Sequence, residues 1–364
     1  MPLRRYVSFG WSFSPDGGRL VLGGFRPVLR FVDAVSLRSL GDLRLGGRGT
    51  VVVTAWPTPR RVLAAVQQRP GTLRLVVVDP VARRILGRRP LAGRSEVVDV
   101  ASSSRGLALL LAPPASIGPA RLVVARTDGS VGSTRISAIA AGMRMKQVPS
   151  GSSPVDRRWV PGLAVDPSGR RAFVVGGGAP VADVDLGSMQ VAYHRLAEPV
   201  SLLGRLREWV EPSAFAKGES EGPVRAVHWL GDGLLAVSGW DARGTEKPVA
   251  AGLKLVDTRT WTARTLDEET GEVTLAARII LAHGSRFATG LTAYDRDGRH
   301  LWHRFGRARI GNVETSGERL YVYRYFRRAP ARVIVLDLRT GETLRSVETS
   351  WFQLVRPDAA SWIH

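Results

Sequence analysis

The sequence predicts an all-β protein, and two observations lead to that prediction. Short strands rich in Val and Leu recur along the chain with Gly, Pro and Asp turns between them, which is the usual pattern of an all-β fold. The stretch from Trp11 to Gly24, WSFSPDGGRLVLGG, is predicted to form two strands around a Pro-Asp-Gly turn. A close variant, from Gly162 to Val175, places Asp-Pro-Ser-Gly between two further strands.

Units of four predicted strands repeat about every 50 residues, a spacing typical of propeller blades. We therefore predict a single domain over residues 1–364, a seven-bladed β-propeller with four-stranded antiparallel blades. A segment over residues 350–364 is expected to close the ring. The predicted blades cover residues 9–45, 51–90, 97–137, 160–196, 224–267, 274–306 and 311–348.

Most predicted third strands end in an aspartate before a polar turn, as at Asp33, Asp79, Asp257 and Asp337. A carboxylate at this position can accept hydrogen bonds from backbone N–H groups two residues further on, which closes the turn. We therefore assign these aspartates to the structure of the turns.

The Ser-Pro-Asp-Gly and Asp-Pro-Ser-Gly turns, together with the strand-ending aspartates, resemble those of bacterial YVTN-type and WD-repeat-like β-propellers. Ala293 to Gly306 is similar to one repeat of the quinoprotein-type propellers, with Trp302 at the position of that repeat's tryptophan. The resemblance covers nearly the whole chain and implies a propeller fold. It implies no single function, because these families include scaffolds, binding proteins and enzymes.

Composition excludes several kinds of site. The chain has no cysteine, so it has no disulfide framework, no Cys-ligated zinc and no thiol nucleophile. No apolar run reaches the ~18 residues that span a membrane, and the N-terminus lacks the features of a signal peptide. We expect a monomeric cytoplasmic protein, or an exported one if a leader or anchor is missing from this sequence.

The net charge is +20, and only 4 of the 52 basic residues are lysines. The arginines are spread through turns and strand ends without a basic run, so a dispersed solvated surface is favoured over a nucleic-acid site. A positive field of this kind would steer an anionic partner. We expect that partner to be an acidic protein surface or a cell-envelope polymer.

Second-to-third and unit-to-unit connections share one face of a propeller, and in this chain they are the longer ones. Long loops in a compact domain often carry function, so we predict a binding surface from the loops Ile139–Pro161 and Ala197–Gly222, with a short helix over Ser201–Val210. The alternative is that Trp159, Leu206 and Trp209 only cover the core. The candidate binding residues in these loops are Met143, Lys146, Arg157, Arg158, Trp159, Arg205, Trp209 and Lys217.

Two further candidates lie in the fifth unit. His228 is predicted on an inner strand, where it could face the central channel, and a buried hydrogen-bonded histidine is favoured over a ligand or a base. Trp240 is predicted in a loop that follows the second strand of its unit.

No motif predicts catalytic chemistry. The six histidines include no HExxH, and Gly176 to Gly178 precede no helix with a Lys-Ser/Thr pair, so no metal site or phosphate loop is predicted. We therefore predict no catalytic residue and no cofactor, and expect a non-enzymatic binding or scaffolding propeller. The alternative is a hydrolase, lyase or quinoprotein-like oxidoreductase, which would need titratable groups or a metal at the channel mouth.

Overall fold

The computed structural model of the chain describes residues 11–24, 26–34, 36, 38–69, 72–145, 156–197, 222–241, 248–276, 278–284, 288–324 and 331–349. Within these residues the chain forms thirty β-strands and no helix. The strands are arranged in seven antiparallel sheets. In each sheet, strands that follow one another in the sequence are paired, except that the short strand Val249–Ala250 pairs with the strand before it and not with the strand after it.

The first three sheets are formed by residues 11 to 159. Sheet one contains β1 (Trp11–Phe13), β2 (Arg19–Leu22), β3 (Val28–Asp33) and β4 (Ser39–Arg44). Sheet two contains β5 (Thr50–Thr58), β6 (Arg61–Arg69), β7 (Thr72–Asp79) and β8 (Arg84–Ala92). Sheet three contains β9 (Glu96–Ser103), β10 (Gly106–Ala112), β11 (Ile117–Arg126), β12 (Val131–Met145) and β13 (Asp156–Trp159).

The remaining four sheets follow the same order. Sheet four contains β14 (Gly162–Val165), β15 (Arg171–Val175), β16 (Val181–Asp185) and β17 (Val191–His194). Sheet five contains β18 (Pro223–Gly231), β19 (Leu234–Asp241), β20 (Val249–Ala250), β21 (Leu253–Asp257) and β22 (Thr262–Asp267). Sheet six contains β23 (Glu272–Ala276), β24 (Ile279–His283), β25 (Leu291–Asp295) and β26 (His300–Arg304). Sheet seven contains β27 (Ile310–Ser316), β28 (Arg319–Arg324), β29 (Ala331–Asp337) and β30 (Thr343–Thr349).

The core lies between neighbouring sheets. Second strands are covered on both faces, and every residue of β10 is buried, as expected for a continuous apolar strand such as Gly106–Ala112. Val21 and Phe31 of sheet one pack with Trp56 and Val62 of sheet two. The last strand of each sheet lies at its outer edge, and none of the residues in β4 is fully buried. Because each sheet packs face to face against its neighbour, the sheets are arranged around an axis.

The first strand of each sheet lies innermost. In the order β1, β5, β9, β14, β18, β23 and β27, each first strand contacts the next one. The sheets therefore surround a common axis with their first strands against it, and the fold is a β-propeller. The predicted all-β propeller architecture is confirmed.

The aspartates after the third strands close turns as predicted. Asp79 accepts hydrogen bonds from the Val81 and Ala82 amides, both at 3.0 Å. Asp337 accepts them from the Arg339 and Thr340 amides at 2.9 and 2.8 Å. These bonds hold the pKa of both carboxyl groups below its usual value, with the amides of Ala82 and Thr340 contributing most.

The structure contradicts the predicted loop over Ile139–Pro161. β12 continues to Met145 and pairs with β13, with Gly142 opposite Trp159 and Met143 opposite Arg158, so sheet three has a fifth strand. Ile139 and Ala141 are fully buried in this extension. The Ala-Ala-Gly sequence at 140–142 has low strand propensity, and packing against the core overrides that local preference.

The predicted loop position of Trp240 is also wrong. Trp240 belongs to β19, lies opposite Val224 of β18 and is 3% exposed. The Ser238-Gly239 pair suggested a strand end, but Gly239 has φ of 150° and a Cβ there would lie 2.0 Å from the Val224 carbonyl oxygen. Glycine at this position allows the two backbones to approach and the strand to continue.

Several predictions concern residues outside the described ranges: the helix over Ser201–Val210, most of the Ala197–Gly222 loop, Lys146 and the closing segment over 350–364. In the part of the chain that the structure describes, no helix is long and apolar enough to cross a membrane.

One connection links three sheets. Between β13 and β14, Val160 forms an isolated parallel bridge with Val224 of sheet five. The Val160 amide donates to the Pro223 carbonyl at 2.9 Å, and the Arg225 amide donates to the Val160 carbonyl at 2.7 Å. The chain leaving sheet three is therefore hydrogen-bonded to sheet five before it forms sheet four.

Candidate functional site

The first strands of sheets three to seven surround a central cavity of about 1120 Å³. Its wall includes residues of β9, β14, β18, β23 and β27, the innermost strand of each of these sheets. Small-molecule sites usually occupy roughly 300–1,000 Å³. The cavity is therefore large enough for a small ligand.

The described wall of this cavity contains more acidic than basic side chains. Arg225 is held by Asp241, with 2.8 Å between Nη1 and Oδ1, so its charge is largely balanced. Acidic residues therefore outnumber basic ones along the described part of the wall, although the whole chain carries +20. The ionisable residues along the described wall are Asp99, Arg225, His228, Glu272, His283 and Glu314.

Asp99 lies on β9 and joins sheet three to sheet four. Its Oδ2 accepts a hydrogen bond from the Leu163 amide at 2.7 Å, and its Oδ1 accepts one from the Val100 amide at 2.8 Å. Burial disfavours the charged carboxylate more strongly than these two bonds favour it, and raises the pKa of Asp99 to about 7. Asp99 can therefore gain or lose a proton near neutral pH.

His283 lies on β24 and is 5% exposed. Its Nε2 is 3.0 Å from the Thr274 hydroxyl oxygen, and its Nδ1 is 3.7 Å from Glu272 Oε2. Burial, followed by the neighbouring His228, lowers the pKa of His283 to about 4. The imidazole is therefore neutral at pH 7.

His228 and Glu314 complete the ionisable wall. Burial lowers the pKa of His228, although a hydrogen bond to the Val273 backbone acts in the opposite direction. Glu314 is exposed to the cavity, yet the protein that surrounds the cavity desolvates its carboxylate and raises its pKa. Among the described residues, no group of three or more His, Asp and Glu side chains could hold a metal ion.

The structure separates the binding residues that the sequence predicted. His228 and Trp240 both line the cavity. Arg157, Arg158 and Trp159 are placed in the strand β13, not in a loop. Arg205, Trp209 and Lys217 lie outside the described residues. The structure thus brings together two of the predicted residues, and only the part of the predicted surface in Ala197–Gly222 stays a prediction.

Four cavity residues were missed by the sequence analysis: Asp99, Glu272, His283 and Glu314. Three of them lie on the first strands β9, β23 and β27, where neighbouring sheets cover most positions with apolar contacts. A carboxyl group in an otherwise apolar first strand, such as Asp99 between Val98 and Val100, was the signal that could have identified them.

A second feature is the charge of sheets one and two. Residues 11–94 contain 15 arginines and 4 aspartates, with no lysine and no glutamate, so they carry +11 of the total +20. The arginines form no run, so the imbalance becomes visible only when charges are summed over individual sheets. The positive charge is therefore not spread evenly among the sheets, contrary to the prediction.

All four aspartates of these sheets are engaged locally. Asp16, Asp33 and Asp79 accept hydrogen bonds from the residues of their own turns. Asp42 pairs with Arg30, with 3.0 Å between Oδ1 and Nε. Four carboxylates cannot balance 15 arginines, so the two sheets keep a net charge of +11.

Arg74 and Arg88 converge at the junction of the two sheets. Arg74 Nη2 donates to the Gly46 carbonyl at 3.0 Å, and Arg88 Nη2 donates to the Leu45 carbonyl at 3.2 Å. Burial, and then the charge of Arg88, lower the pKa of Arg74. The junction consequently concentrates positive charge.

Three exposed arginines lie at the same end of the sheets. Arg26 is in the second-to-third connection of sheet one, Arg44 ends β4, and Arg48 is in the connection to sheet two. The two connections are hydrogen-bonded to each other, since the Leu45 amide donates to the Pro27 carbonyl at 2.7 Å. We refer to Arg26, Arg44, Arg48, Arg74 and Arg88 together as the arginine surface.

The fold and the cavity define a class of protein, a β-propeller with a central cavity whose described wall carries several carboxyl groups, and with a basic patch on two of its sheets. No protein-family model matches the sequence, and no curated protein matches it. Propeller structures do resemble it, and they confirm the resemblance expected from the turns at the level of the fold.

Three solved structures illustrate the similarity. BamB from Moraxella catarrhalis is 15% identical, with 94% of this chain and 90% of that chain covered and a TM-score of 0.50. Sqt1 from Saccharomyces cerevisiae is 10% identical over 96% and 88% of the two chains, with a TM-score of 0.54. The Dos1 propeller is 12% identical over 96% and 87%, with a TM-score of 0.52. Identities this low show the fold alone.

Proposed function

We propose that this protein is a non-enzymatic binding or scaffolding propeller that engages an anionic macromolecule through the arginine surface. The partner is an acidic protein surface or a cell-envelope polymer. The observation that carries the proposal is the excess of 15 arginines over 4 locally engaged aspartates in residues 11–94. We also propose a relation to bacterial YVTN-type, WD-repeat-like propellers, supported by the Ser14 to Gly17 turn.

The arginine surface has the properties that such binding requires. Guanidinium groups form paired hydrogen bonds with carboxylates and phosphates. They are held on sheets that pack against each other, so little conformational entropy is lost when a partner binds. The positive field of the two sheets would also accelerate encounter with an anionic partner.

The position of the surface fits the general layout of propellers. Arg26 and Arg48 lie in a second-to-third and a unit-to-unit connection, which belong to the face predicted to bind. The proposed contact therefore keeps the predicted face but moves its centre from the third-to-fifth units to sheets one and two.

Fluorescence anisotropy with labelled polyglutamate tests the proposal. The triple variant Arg26→Ala, Arg44→Ala, Arg48→Ala should bind at least about tenfold more weakly, since each lost exposed charge contact is worth roughly 0.5 kcal/mol. The matched control replaces Arg259, Arg332 and Arg339, exposed arginines that each pair with a carboxylate. Equal losses in both variants would show that only net charge matters and would refute a specific surface.

Nucleic acid is the competing anionic partner, and the same assay distinguishes it. Labelled duplex DNA would have to bind more tightly than polyglutamate, with an affinity that falls steeply as salt rises. We expect polyglutamate to bind more tightly, and the opposite order would overturn the proposed class of partner.

A propeller enzyme is the second candidate, and the cavity favours it. Asp99 can exchange a proton near pH 7, and general acid–base groups work best with a pKa near the operating pH. Turnover of nitrophenyl ester or glycoside substrates that is lost in Asp99→Asn and kept in the surface variant Glu342→Gln would support this candidate. Equal activity in the two variants would exclude Asp99 as its acid or base.

A further inference from the structure

Two arginines of sheet two lie on the face that packs against sheet one. Arg74 of β7 lies opposite Pro90 of β8, and two positions further along β7, Val76 lies opposite Arg88. Both arginine side chains therefore leave the sheet on the face that carries Val76, which belongs to the apolar core between sheets one and two. Diagonal positions on one face of an antiparallel pair are about 7–8 Å apart, so the two guanidinium groups can reach the same ligand.

Both guanidinium groups are anchored at the turn that follows sheet one. Arg74 Nη2 donates to the Gly46 carbonyl at 3.0 Å. Arg88 Nη2 donates to the preceding carbonyl, that of Leu45, at 3.2 Å. A guanidinium group has five N–H donors, so each keeps further donors beside these bonds. Arg88 is exposed and Arg74 is half-buried, so a ligand from solvent can reach both.

Two exposed glycines leave space beside these donors. A Cβ on Gly46 would lie 3.5 Å from Arg88 Nη2. A Cβ on Gly47 would lie 3.2 Å from Gln68 Nε2 and 3.8 Å from Arg74 Nη2. Both glycines have positive φ, of 74° and 75°, which residues with a side chain rarely adopt. Donors from three side chains therefore surround a turn that has no side chains of its own.

No carboxylate balances the charge of this pair. Residues 11–94 contain no glutamate, and their four aspartates bond within their own turns or to Arg30. In the described part of the chain, neither Arg74 nor Arg88 forms an ion pair with an acidic residue. The charge of Arg88 adds to burial in lowering the pKa of Arg74. Two like charges held this close favour an anion that carries two negative charges.

A phosphate monoester has the chemistry that this arrangement fits. It carries about two negative charges near neutral pH and three strong acceptor oxygens. A guanidinium group can pair with two of these oxygens, and a tetrahedral phosphate has enough oxygens to face two such groups. A carboxylate has one charge and two oxygens, so it can satisfy one guanidinium group fully.

We propose that Arg74 and Arg88, together with the Gln68 amide, bind a phosphate monoester, and that this group anchors the anionic partner on the arginine surface. The inference rests on the proposed function, because it names the chemical group that the surface recognises. Since the backbone carbonyls already hold both arginines, little conformational entropy is lost when the phosphate binds.

Isothermal titration calorimetry on the full chain tests the site, in a phosphate-free buffer at constant ionic strength. We expect phenyl phosphate to bind about tenfold more tightly than benzoate, because it forms charge-assisted bonds with two guanidinium groups instead of one. Equal binding of the two probes would overturn the site.

Two neighbouring arginines provide a matched pair of variants. Arg88→Gln should weaken the binding of phenyl phosphate about tenfold. Arg89→Gln removes the same charge from the same strand, but Arg89 lies opposite Leu75 on the face that packs against sheet three, so this variant should bind like the native protein. Equal losses in the two variants would refute the site.

A pair of labelled peptides shows where the phosphate comes from. A polyglutamate peptide with one phosphoserine should bind the native protein about tenfold more tightly than the same peptide with serine, and Arg88→Gln should remove this difference. Equal binding of the two peptides to the native protein would assign the phosphate to a small molecule and overturn its role as the partner's anchor.

The outcomes remain decisive if a variant does not fold, and they separate the site from the proposed function. If Arg88→Gln is unfolded by circular dichroism, the affinity ratio of phenyl phosphate to benzoate in the native protein still decides. Polyglutamate binding that does not depend on Arg26, Arg44 and Arg48, beside phenyl phosphate binding that depends on Arg88, would refute the proposed function and leave the site standing. Phenyl phosphate binding that ignores Arg88 would refute the site, whatever polyglutamate shows.

Discussion

Replacing Asp99 with asparagine removes an ionisable group that burial keeps protonated up to about pH 7. In the unfolded chain the same carboxyl group has a pKa near 3.9. Because the folded pKa is the higher one, the native state holds the proton while the unfolded state releases it. The free energy of unfolding therefore decreases as pH rises from about 4 to about 7.

The size of the effect follows from this pKa difference. A shift of about three units corresponds to about 4 kcal/mol over the whole range, of which about 2.5 kcal/mol falls between pH 5 and pH 8. Asparagine has one acceptor oxygen for the Leu163 and Val100 amides that Asp99 satisfies, which costs about 1 kcal/mol at every pH. By pH 5 the native protein has already lost about 1.5 kcal/mol of this stability, so Asp99→Asn should be close to neutral near pH 5 and clearly stabilising near pH 8.

Thermal unfolding of the native protein and the variant at about pH 5 and pH 8 measures the effect. For a chain of 364 residues, the difference between their melting temperatures should shift by about 3 °C in favour of the variant at the higher pH, given an unfolding entropy of about 2 cal/mol/K per residue. Asp185→Asn is the control, because hydrogen bonds from Ser188 lower the pKa of this turn residue and both pH values lie above it. A constant difference for Asp99→Asn would refute a raised pKa.

Two further predictions follow from burial. His283→Gln should reduce the acid sensitivity of the protein. The pKa of His283 is about 4 in the native state, so the native state loses about 2–3 kcal/mol of stability as pH falls from 7 to about 4.5. Urea unfolding at both pH values should show that the native protein loses more stability than the variant. Leu110→Ala, on the fully buried strand β10, should cost about 2–5 kcal/mol. Leu86→Ala, where the side chain is 39% exposed, should cost under about 1 kcal/mol, and equal urea midpoints for the two leucine variants would contradict the assigned burial.

The repeated features of the fold could be predicted from sequence because local chemistry determines them. The turn after Trp11–Phe13 needs the Ser14 hydroxyl, the Asp16 carboxylate and a glycine with positive φ, and all three are adjacent in the chain. The aspartates that follow third strands act through amides two or three residues away. Such contacts are visible in a single sequence.

The errors arose where long-range packing determines structure. The extension of β12 contains Ala140, Ala141 and Gly142, which favour a strand only because β13 and the core lie beside them. Gly239 looked like a strand end, yet its lack of a side chain admits the Val224 backbone. Both depend on residues at least fourteen positions away.

The candidate sites depended on three-dimensional proximity even more strongly. Asp99, Glu272 and Glu314 come from three sheets and meet only because first strands line one axis. The arginine surface likewise needed sheet boundaries before its charge imbalance became visible. Motifs in the sequence could therefore indicate neither the cavity nor the arginine surface.

The Val160 bridge has a consequence for how the protein opens. When each repeat contacts only its neighbours, local unfolding can proceed repeat by repeat. Here the hydrogen bonds that Val160 forms with Pro223 and Arg225 connect the chain leaving sheet three to sheet five, so sheets three and five are joined directly as well as through sheet four. Sheets three to five should therefore form one cooperative unit, in which the backbone amides of β14 and β18 exchange with solvent in a single opening event.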